Sequence, residues 1–370
     1  MTEAGDRREV IVVGGGQAGL AIGYLLARQG RRFTILEAAD TPAAAWRERW
    51  DSLRLFTPVR YDSLPGRAFR GDPDSYPSRD DVVAYLTDYA REFDLPVELD
   101  SRVRAVREGD GGYVVELDDR TCTADQVVIA TGPFQVPRVP AFAERLDPDI
   151  VQFHSSRYRG PQDVPTGPVL VVGGGNTGYQ IAEELARTNE VHLSIGARQT
   201  PLPQRILGRD LFRYLEATRL MSKTVESRIG QRMQDRETLI GSSPRAARRR
   251  HGIRLRGRAA GVSGREVRFS DGSTLDPGAV IWATGFGLDH SFVQVPVFDT
   301  GGRLVHRRGV TAAPGLYFLG LPWQYTRGSA LLGWVKDDAE YIADQIATYR
   351  GTAATGGQAR QRASGQTSTS

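Results

Sequence analysis

The chain has 370 residues, 40% hydrophobic and 25% charged, with 42 glycines, 20 prolines, five histidines and one cysteine. This is a globular composition at a length suited to about two domains. A lone cysteine, Cys122, excludes a disulfide framework, a cysteine-rich zinc site and an internal dithiol redox centre.

In chain order, residues 1–8 are polar and expected to be disordered. The uncharged run 10–27 approaches the length of a membrane span. Its β-branched start and the glycines at 14–16 break it into a strand, Val10–Val13, and a helix carrying Leu20, Ile22, Leu25 and Leu26. The preceding MTEAGDRRE mixes acids with bases, unlike a signal peptide, so the expected location is the cytoplasm, with no membrane span. Gly30 closes the helix, and a second strand, Phe33–Leu36, ends at Glu37. Residues 41–78, rich in Pro, Trp, Tyr, Arg and Ser, read as a long functional loop.

Ser78-Arg79-Asp80-Asp81 opens a helix running to Phe93. Strands are predicted at 97–99, 103–106, 113–117 and 126–130, the last ending in Thr131-Gly132. The same grammar then restarts. Val169–Val172 is an apolar strand ending in three glycines, followed by a helix to Ala186 and a strand at 191–195. A basic, helical region is expected over 204–251, then strands at 252–257, 266–269, 279–283 and 316–319, and a last helix over 331–348. The cluster Arg245, Arg248, Arg249, Arg250 and Arg254 would suggest nucleic acid in isolation, given the net charge of +4. All basic residues except Lys223 and Lys336 are arginine, however, and no aromatic platform accompanies the cluster. It reads as a solvated helix face, and no nucleic-acid partner is expected. Residues 351–370 are low-complexity and are expected to form a disordered tail.

Two glycine fingerprints carry the chemistry. Gly14-x-Gly16-x-x-Gly19, with Gln17 and Ala18 inside it, sits between strand and helix. Gly14 allows the tight turn, Gly16 admits a pyrophosphate to the backbone, and Gly19 lets helix pack on strand. The anion then lies on the free N–H groups of the helix N-terminus. Glu37, about twenty residues on, suits the ribose hydroxyls of an adenosine and repels a 2′-phosphate. Gly173-x-Gly175-x-x-Gly178, enclosing Asn176 and Thr177, repeats the pattern, with Arg198 where the acid would stand. Arg198 either receives the 2′-phosphate of NADPH or is a solvated arginine. Two dinucleotide sites in one chain imply electrons passing between a diffusible nicotinamide and a bound flavin. The chain is therefore expected to be an α/β protein with two Rossmann-like dinucleotide-binding domains.

Taken together, VVGGGQAG (12–19), WRERWDSLRLFTP (46–58), SLPG (63–66), YPSRDDVVAYLTDYA (76–90), VVIATGPF (127–134), HSSRY (154–158), VVGGGNTG (171–178), VIWATGF (280–286) and GLYFLG (315–320) resemble the class B flavin monooxygenases. These include the flavin-containing monooxygenases, YUCCA-type enzymes and short CzcO-like members, and the resemblance runs from about residue 9 to about 348. It implies FAD at the first site and NADPH in a second, inserted domain: FAD-binding residues 1–157 and 284–350, NADPH-binding residues 158–283. It also implies cofactor contacts at Trp46, Val103, Ala130-Thr131-Gly132 and Ala283-Thr284-Gly285, the last two marking where the chain passes between domains.

The implied activity is NADPH-driven oxygenation of a small organic molecule with O2 through a C4a-(hydro)peroxyflavin. Arg54 and Thr57, on the loop resembling the flavin-facing wall, either hydrogen-bond the reacting groups as catalytic residues or anchor that loop. The chain departs from the pattern in two places. Of the hallmark FxGxxxHxxx(Y/W), only the second half stands, from His154 to Tyr158, because Pro148 and Ile150 replace the Phe and Gly. Ala44-Ala45 replaces the usual Gly-Gly before Trp46. His154 reads as a linker residue. The alternatives are an FAD-dependent NADPH reductase or oxidase serving a quinone, a protein or O2, and a non-catalytic redox-sensing module.

Overall fold

The structure, a computed structural model, describes residues 7–197, 199–234 and 238–349. The expected disordered tail at 351–370 lies outside them. Two sheets organise the chain, one mixed around a parallel centre and one wholly parallel. Across the first run His306–Arg307, Val310–Thr311, Leu316–Phe318, Thr121–Ile129, Arg7–Val13, Phe33–Leu36 and Val97–Glu98. The five strands from Leu316–Phe318 onward are parallel. A hairpin, Val103–Gly109 and Gly112–Leu117, joins Thr121–Ile129 in antiparallel fashion. The second sheet is parallel throughout, in the order Arg254–Arg256, Glu190–Ser194, Pro168–Val172, Ala279–Trp282 and Val151–His154.

The period-2 alternation of strands divides the core into layers. Val10 and Val12 face the layer that holds helices Gln17–Arg28, Arg79–Glu92 and Val335–Thr348. Ile11 and Val13 face the opposite layer, with the hairpin and Val293, Val295 and Val297. The second sheet repeats this division. Val169, Val171, Ala279 and Ile281 pack under helix Asn176–Leu185. Leu170, Val172, Val280 and Trp282 pack on the small antiparallel sheet Ala259–Ser263, Glu266–Phe269 and Thr274–Leu275.

Several boundaries differ from expectation. Val151–His154 belongs to the second sheet, paired with Ala279–Trp282, so that sheet begins before the expected 157/158 boundary. The 204–251 region is only partly helical, at Leu211–Ala217, Arg228–Gln234 and Pro244–His251. Left-handed backbone at Leu207 and Gly208 turns a tight hairpin between Arg205–Ile206 and Arg209–Asp210 instead. The last helix starts at Val335 rather than 331. Gly333 lies so close to the Tyr61 carbonyl that a side chain there would overlap it, which keeps 328–334 as a turn segment against the 53–62 loop.

Helix Arg79–Glu92 starts as expected, with a Ser78–Asp81 capping box. No helix among the described residues is long and apolar enough to cross a membrane.

Candidate dinucleotide and active sites

The two glycine turns are built alike. Gly14 has φ +111°, and a Cβ on it would stand 2.6 Å from the Ala130 carbonyl oxygen. Gly173 has φ +125°, and a Cβ there would stand closer still to the Ala283 carbonyl oxygen. Gly19 abuts the Gly14 carbonyl as Gly178 abuts that of Gly173. The strand hydrogen bonds correspond as well. Gly14 N donates to Leu36 O (2.8 Å) and Gly173 N to Ser194 O (3.0 Å). Ala130 N donates to Val13 O and Ala283 N to Val172 O, both at 2.8 Å. The two Ala-Thr-Gly segments are thus the floors of the two turns. Their alanine carbonyls require glycine at position one of each fingerprint.

Above each floor a helix N-terminus is left open. Helices Gln17–Arg28 and Asn176–Leu185 are capped by Gly16 and Gly175, with no side-chain cap and no acid in the first turn. Helix Arg79–Glu92, in contrast, satisfies its own amides. A Cβ at Gly16 would meet nothing within 4 Å, so the approach to these amides is open. Unsatisfied N–H groups with the positive end of the helix dipole suit a pyrophosphate. Ala18 is buried beneath Gly320 and serves packing.

Glu37 folds back on the first turn, accepting from Gly15 N (2.7 Å) and Ala39 N (3.0 Å). Ser101 N donates to the Glu37 carbonyl at 2.8 Å. This brings Val103, half-buried at the start of its hairpin, to the same end of the sheet.

Arg198 lies outside the described residues. Its neighbour Gln199 stands against Gly174 as Glu37 stands against Gly15. It accepts from the Tyr179 hydroxyl at 3.1 Å. Its buried amide nitrogen has no partner among the described residues. An uncharged donor therefore occupies the position that the acid holds in the first site, a correspondence missed by counting to Arg198. The Asn176 amide oxygen is used by Ile240 N (2.9 Å), and Thr177 is half-buried beside it.

Between the sheets the two chain crossings pair with one another. Val136–Pro137 and Phe286–Gly287 form an antiparallel ribbon, and Arg138 N donates to Gly285 O at 2.9 Å. Thr284 Oγ1 donates to the Arg138 carbonyl, and Gln135 Nε2 to Thr131 Oγ1 (2.8 Å) and Gly132 O (2.8 Å). His154 Nε2 lies 3.0 Å from Gly285 O and its Nδ1 accepts from Ser156 N at 3.1 Å. Burial holds its pKa below the ordinary histidine value. These partners make it a strut of the crossing, the linker role expected of it.

A cavity of about 440 Å³ opens beside this ribbon, lined among others by Arg49, Phe134, Arg157, Arg159 and Phe286. The Arg49 guanidinium lies 4.4 Å from the Phe134 ring centroid and 5.3 Å from that of Phe286. Burial pulls its pKa down to about 10. This cleft is cationic and aromatic, and suits part of an anionic, ring-bearing molecule.

Trp46 is held at the first turn. Its indole N–H donates to Gln17 Oε1 (3.1 Å), and Gln17 Nε2 donates to Ala330 O (2.9 Å). The 53–62 loop is fastened from the second domain: Gln180 Nε2 donates to Arg54 O (3.1 Å) and Gln204 Nε2 to Phe56 O (2.8 Å). Arg54 itself is exposed, its guanidinium on Tyr76 O at 3.1 Å. Thr57 is buried, and its hydroxyl donates to Asp62 Oδ1 at 2.6 Å. The structure therefore does not bring these two side chains together. Asp62, which sequence reasoning missed, is fully buried with Oδ2 unpartnered among the described residues, and burial pushes its carboxyl up to about 7. Arg327 was also missed. It is half-buried between the domains with Nη1 on Thr238 Oγ1 (2.9 Å), and burial lowers its pKa. Only tertiary structure buries these charges.

Comparison with known proteins agrees with this geometry. The family profile described as pyridine nucleotide-disulphide oxidoreductase matches residues 11–206. The CzcO-like oxidoreductase of Geobacillus kaustophilus is 42% identical over 91% of this chain and 98% of its own. The probable indole-3-pyruvate monooxygenase YUCCA1 of Arabidopsis thaliana is 28% identical over 91% and 89%. The flavin-containing monooxygenase from Stenotrophomonas maltophilia superposes with a TM-score of 0.77 at 29% identity, covering 92% of this chain and 98% of that one. The chain belongs to the pyridine nucleotide-disulphide oxidoreductase family and, alongside the CzcO-like oxidoreductases, to the class B flavin monooxygenases.

Proposed function

We propose that this enzyme is an NADPH- and FAD-dependent monooxygenase that oxygenates a small organic molecule with O2 through a C4a-(hydro)peroxyflavin. The observation that carries this reading is the pair of matching, open glycine turns in one chain. One carries an acid at its ribose position, Glu37, and the other an uncharged donor, Gln199, next to Arg198. FAD occupies the first, held by Gly14, Gly16, Gln17, Ala18, Gly19 and Glu37, and flanked by Trp46, Val103 and Ala130-Thr131-Gly132. NADPH occupies the second, held by Gly173, Gly175, Asn176, Thr177, Gly178 and Arg198 above Ala283-Thr284-Gly285. The FAD-binding part is discontinuous, with the NADPH-binding part inserted between the two crossings.

The bound flavin supplies the hydride acceptance and oxygen activation. The chain's own residues position it and exclude water. Trp46, Gln17 and Ala330 close one side of that site. The 53–62 loop closes another, with Thr57 supporting the wall from within and Arg54 on its outer face. One buried cysteine leaves no dithiol relay, so electrons accepted by the flavin go directly to O2 or to a diffusible acceptor.

The test is anaerobic reduction with NADPH followed by mixing with O2. A transient oxygenated flavin that persists before it decays is expected, its slow decay releasing H2O2 when no substrate is present to take the oxygen. Thr57→Ala should leave flavin reduction nearly intact while shortening the transient and speeding the release of H2O2. Single-phase reoxidation of the wild type with no such transient would move the assignment to an NADPH oxidase or reductase.

A further inference from the structure

The 53–62 loop contains a buried acid that the assigned chemistry does not use. Asp62 ends the short turn Val59–Tyr61 and is completely buried. Thr57 Oγ1 donates to its Oδ1 at 2.6 Å, and Oδ2 has no partner among the described residues. No ion pair reaches it among the described residues. Downstream, Arg67 pairs through its two Nη atoms with Asp88 (3.3 Å) and Glu92, while its buried Nε has no partner among the described residues. On the 53–62 loop itself Arg60 is paired with Asp74 at 2.6 Å, and only burial and the Thr57 bond move the Asp62 carboxyl. Helix Arg79–Glu92 brings Tyr85, whose phenol is itself pushed up to about 12 and stays neutral. The 328–334 segment brings the backbone of Gly333, pressed against Tyr61 and Asp62. Tyr61, the preceding residue, turns away to stack on Trp334 (5.4 Å) and to donate to Glu216 at 2.9 Å.

A carboxylate with one hydrogen bond and no cation is costly in such a place, whereas a carboxylic acid is tolerated. Burial raises this acid to about 7 and the Thr57 bond opposes that rise. Two segments meet here. One is the loop that Gln180 and Gln204 fasten to the NADPH side. The other is the segment whose Ala330 carbonyl holds Gln17. A change of charge at their contact alters both.

We propose that Asp62 is a positioning residue: as a neutral acid bonded to Thr57 it locks the 53–62 loop onto the 328–334 segment, and on ionisation it loosens that contact. This deepens the function proposed above and rests on its reading that the loop walls the flavin. Ionisation would admit water to the wall, so loss of the oxygenated transient as H2O2 quickens with pH while reduction by NADPH does not.

The test uses purified, flavin-loaded protein. In infrared difference spectra, the wild type should show a carboxylic-acid C=O band at mildly acidic pH that disappears as pH rises through neutrality. Asp62→Asn should lack the band. Thr57→Val, which deletes the opposing hydrogen bond and keeps the side-chain shape, should shift the disappearance to higher pH. Amide hydrogen exchange across 53–62 should be at least tenfold faster in the wild type than in Asp62→Asn above the transition, and equal below it. Absence of an Asp62 band, a band unmoved by Thr57→Val, or exchange that is the same in both proteins at all pH overturns the proposal. If Asp62→Asn does not fold, the direction of the Thr57→Val shift decides alone. These readouts do not depend on the fate of O2. An oxidase with this titration would overturn the monooxygenase assignment and leave the lock standing, and a monooxygenase without it would do the reverse.

Discussion

Gln199 occupies, against Gly174, the place that Glu37 takes in the other half of the molecule, where its carboxylate accepts from Gly15 N. A carboxylate at that point repels a 2′-phosphate and an amide does not. Gln199→Glu is therefore expected to turn the coenzyme preference toward NADH by tenfold or more, measured as the ratio of the two flavin reduction rates. Arg198→Ala should weaken NADPH about tenfold or more, the loss of a charge-assisted bond of roughly 1.5–3 kcal/mol, and leave NADH use nearly unchanged. Equal loss for both coenzymes would make Arg198 structural.

Two glycines three residues apart should fail in different ways. Gly16→Val adds a side chain where the structure has open space and the backbone is extended, so the protein should fold and melt normally but purify without flavin. Gly19→Ala drives a methyl into the Gly14 carbonyl. Overpacking of that kind costs about 1–3 kcal/mol, and a lowered melting temperature of the apoprotein is the expected result. Flavin absorbance and calorimetry on the same samples separate the two.

Gln17→Ala removes both the acceptor of the Trp46 indole and the donor to Ala330. Two hydrogen bonds of about 1 kcal/mol each are lost. Flavin dissociation should accelerate roughly tenfold or more, followed by the recovery of flavin fluorescence on dilution. Trp46→Phe, which deletes only the indole donor, should show a smaller effect.

His154 titrates below the usual histidine range because it is buried at the crossing. The unfolded chain then binds the proton more readily than the folded one. The stabilisation is present above the ordinary histidine pKa of about 6.5 and is lost as pH falls through the lower folded value. Melting temperatures of the wild type should drop over that window, and His154→Asn should drop less while starting lower. Parallel curves would show that the histidine is not responsible.

The two glycine turns were legible because the contacts demanding glycine are local or repeated. Gly19 meets Gly14, Gly178 meets Gly173, and each first glycine meets an alanine from an Ala-Thr-Gly segment. The Ser78 helix start was legible for the same reason, its cap being satisfied within four residues. What escaped depends on distant partners. Nothing around Tyr61-Asp62 announces that Gly333 will press on it and bury the carboxyl. Gln199 gains meaning only against Gly174, and Val151–His154 looked like the end of the first unit until it paired with Ala279–Trp282. Over 204–251 the helical reading was defeated by the turn at Leu207-Gly208 and by the pairing of Thr200–Leu202 with Thr238–Ile240.

The ribbon between Val136–Pro137 and Phe286–Gly287 ties both chain crossings side by side. Two separate tethers would let one half of the molecule twist as well as swing against the other. Tethers bonded along their length resist the twist and leave a single axis of rotation. Any opening between the nucleotide turns then follows one arc, like a page about its binding. Whatever the second turn holds would return to the same spot against the first half each time the two close.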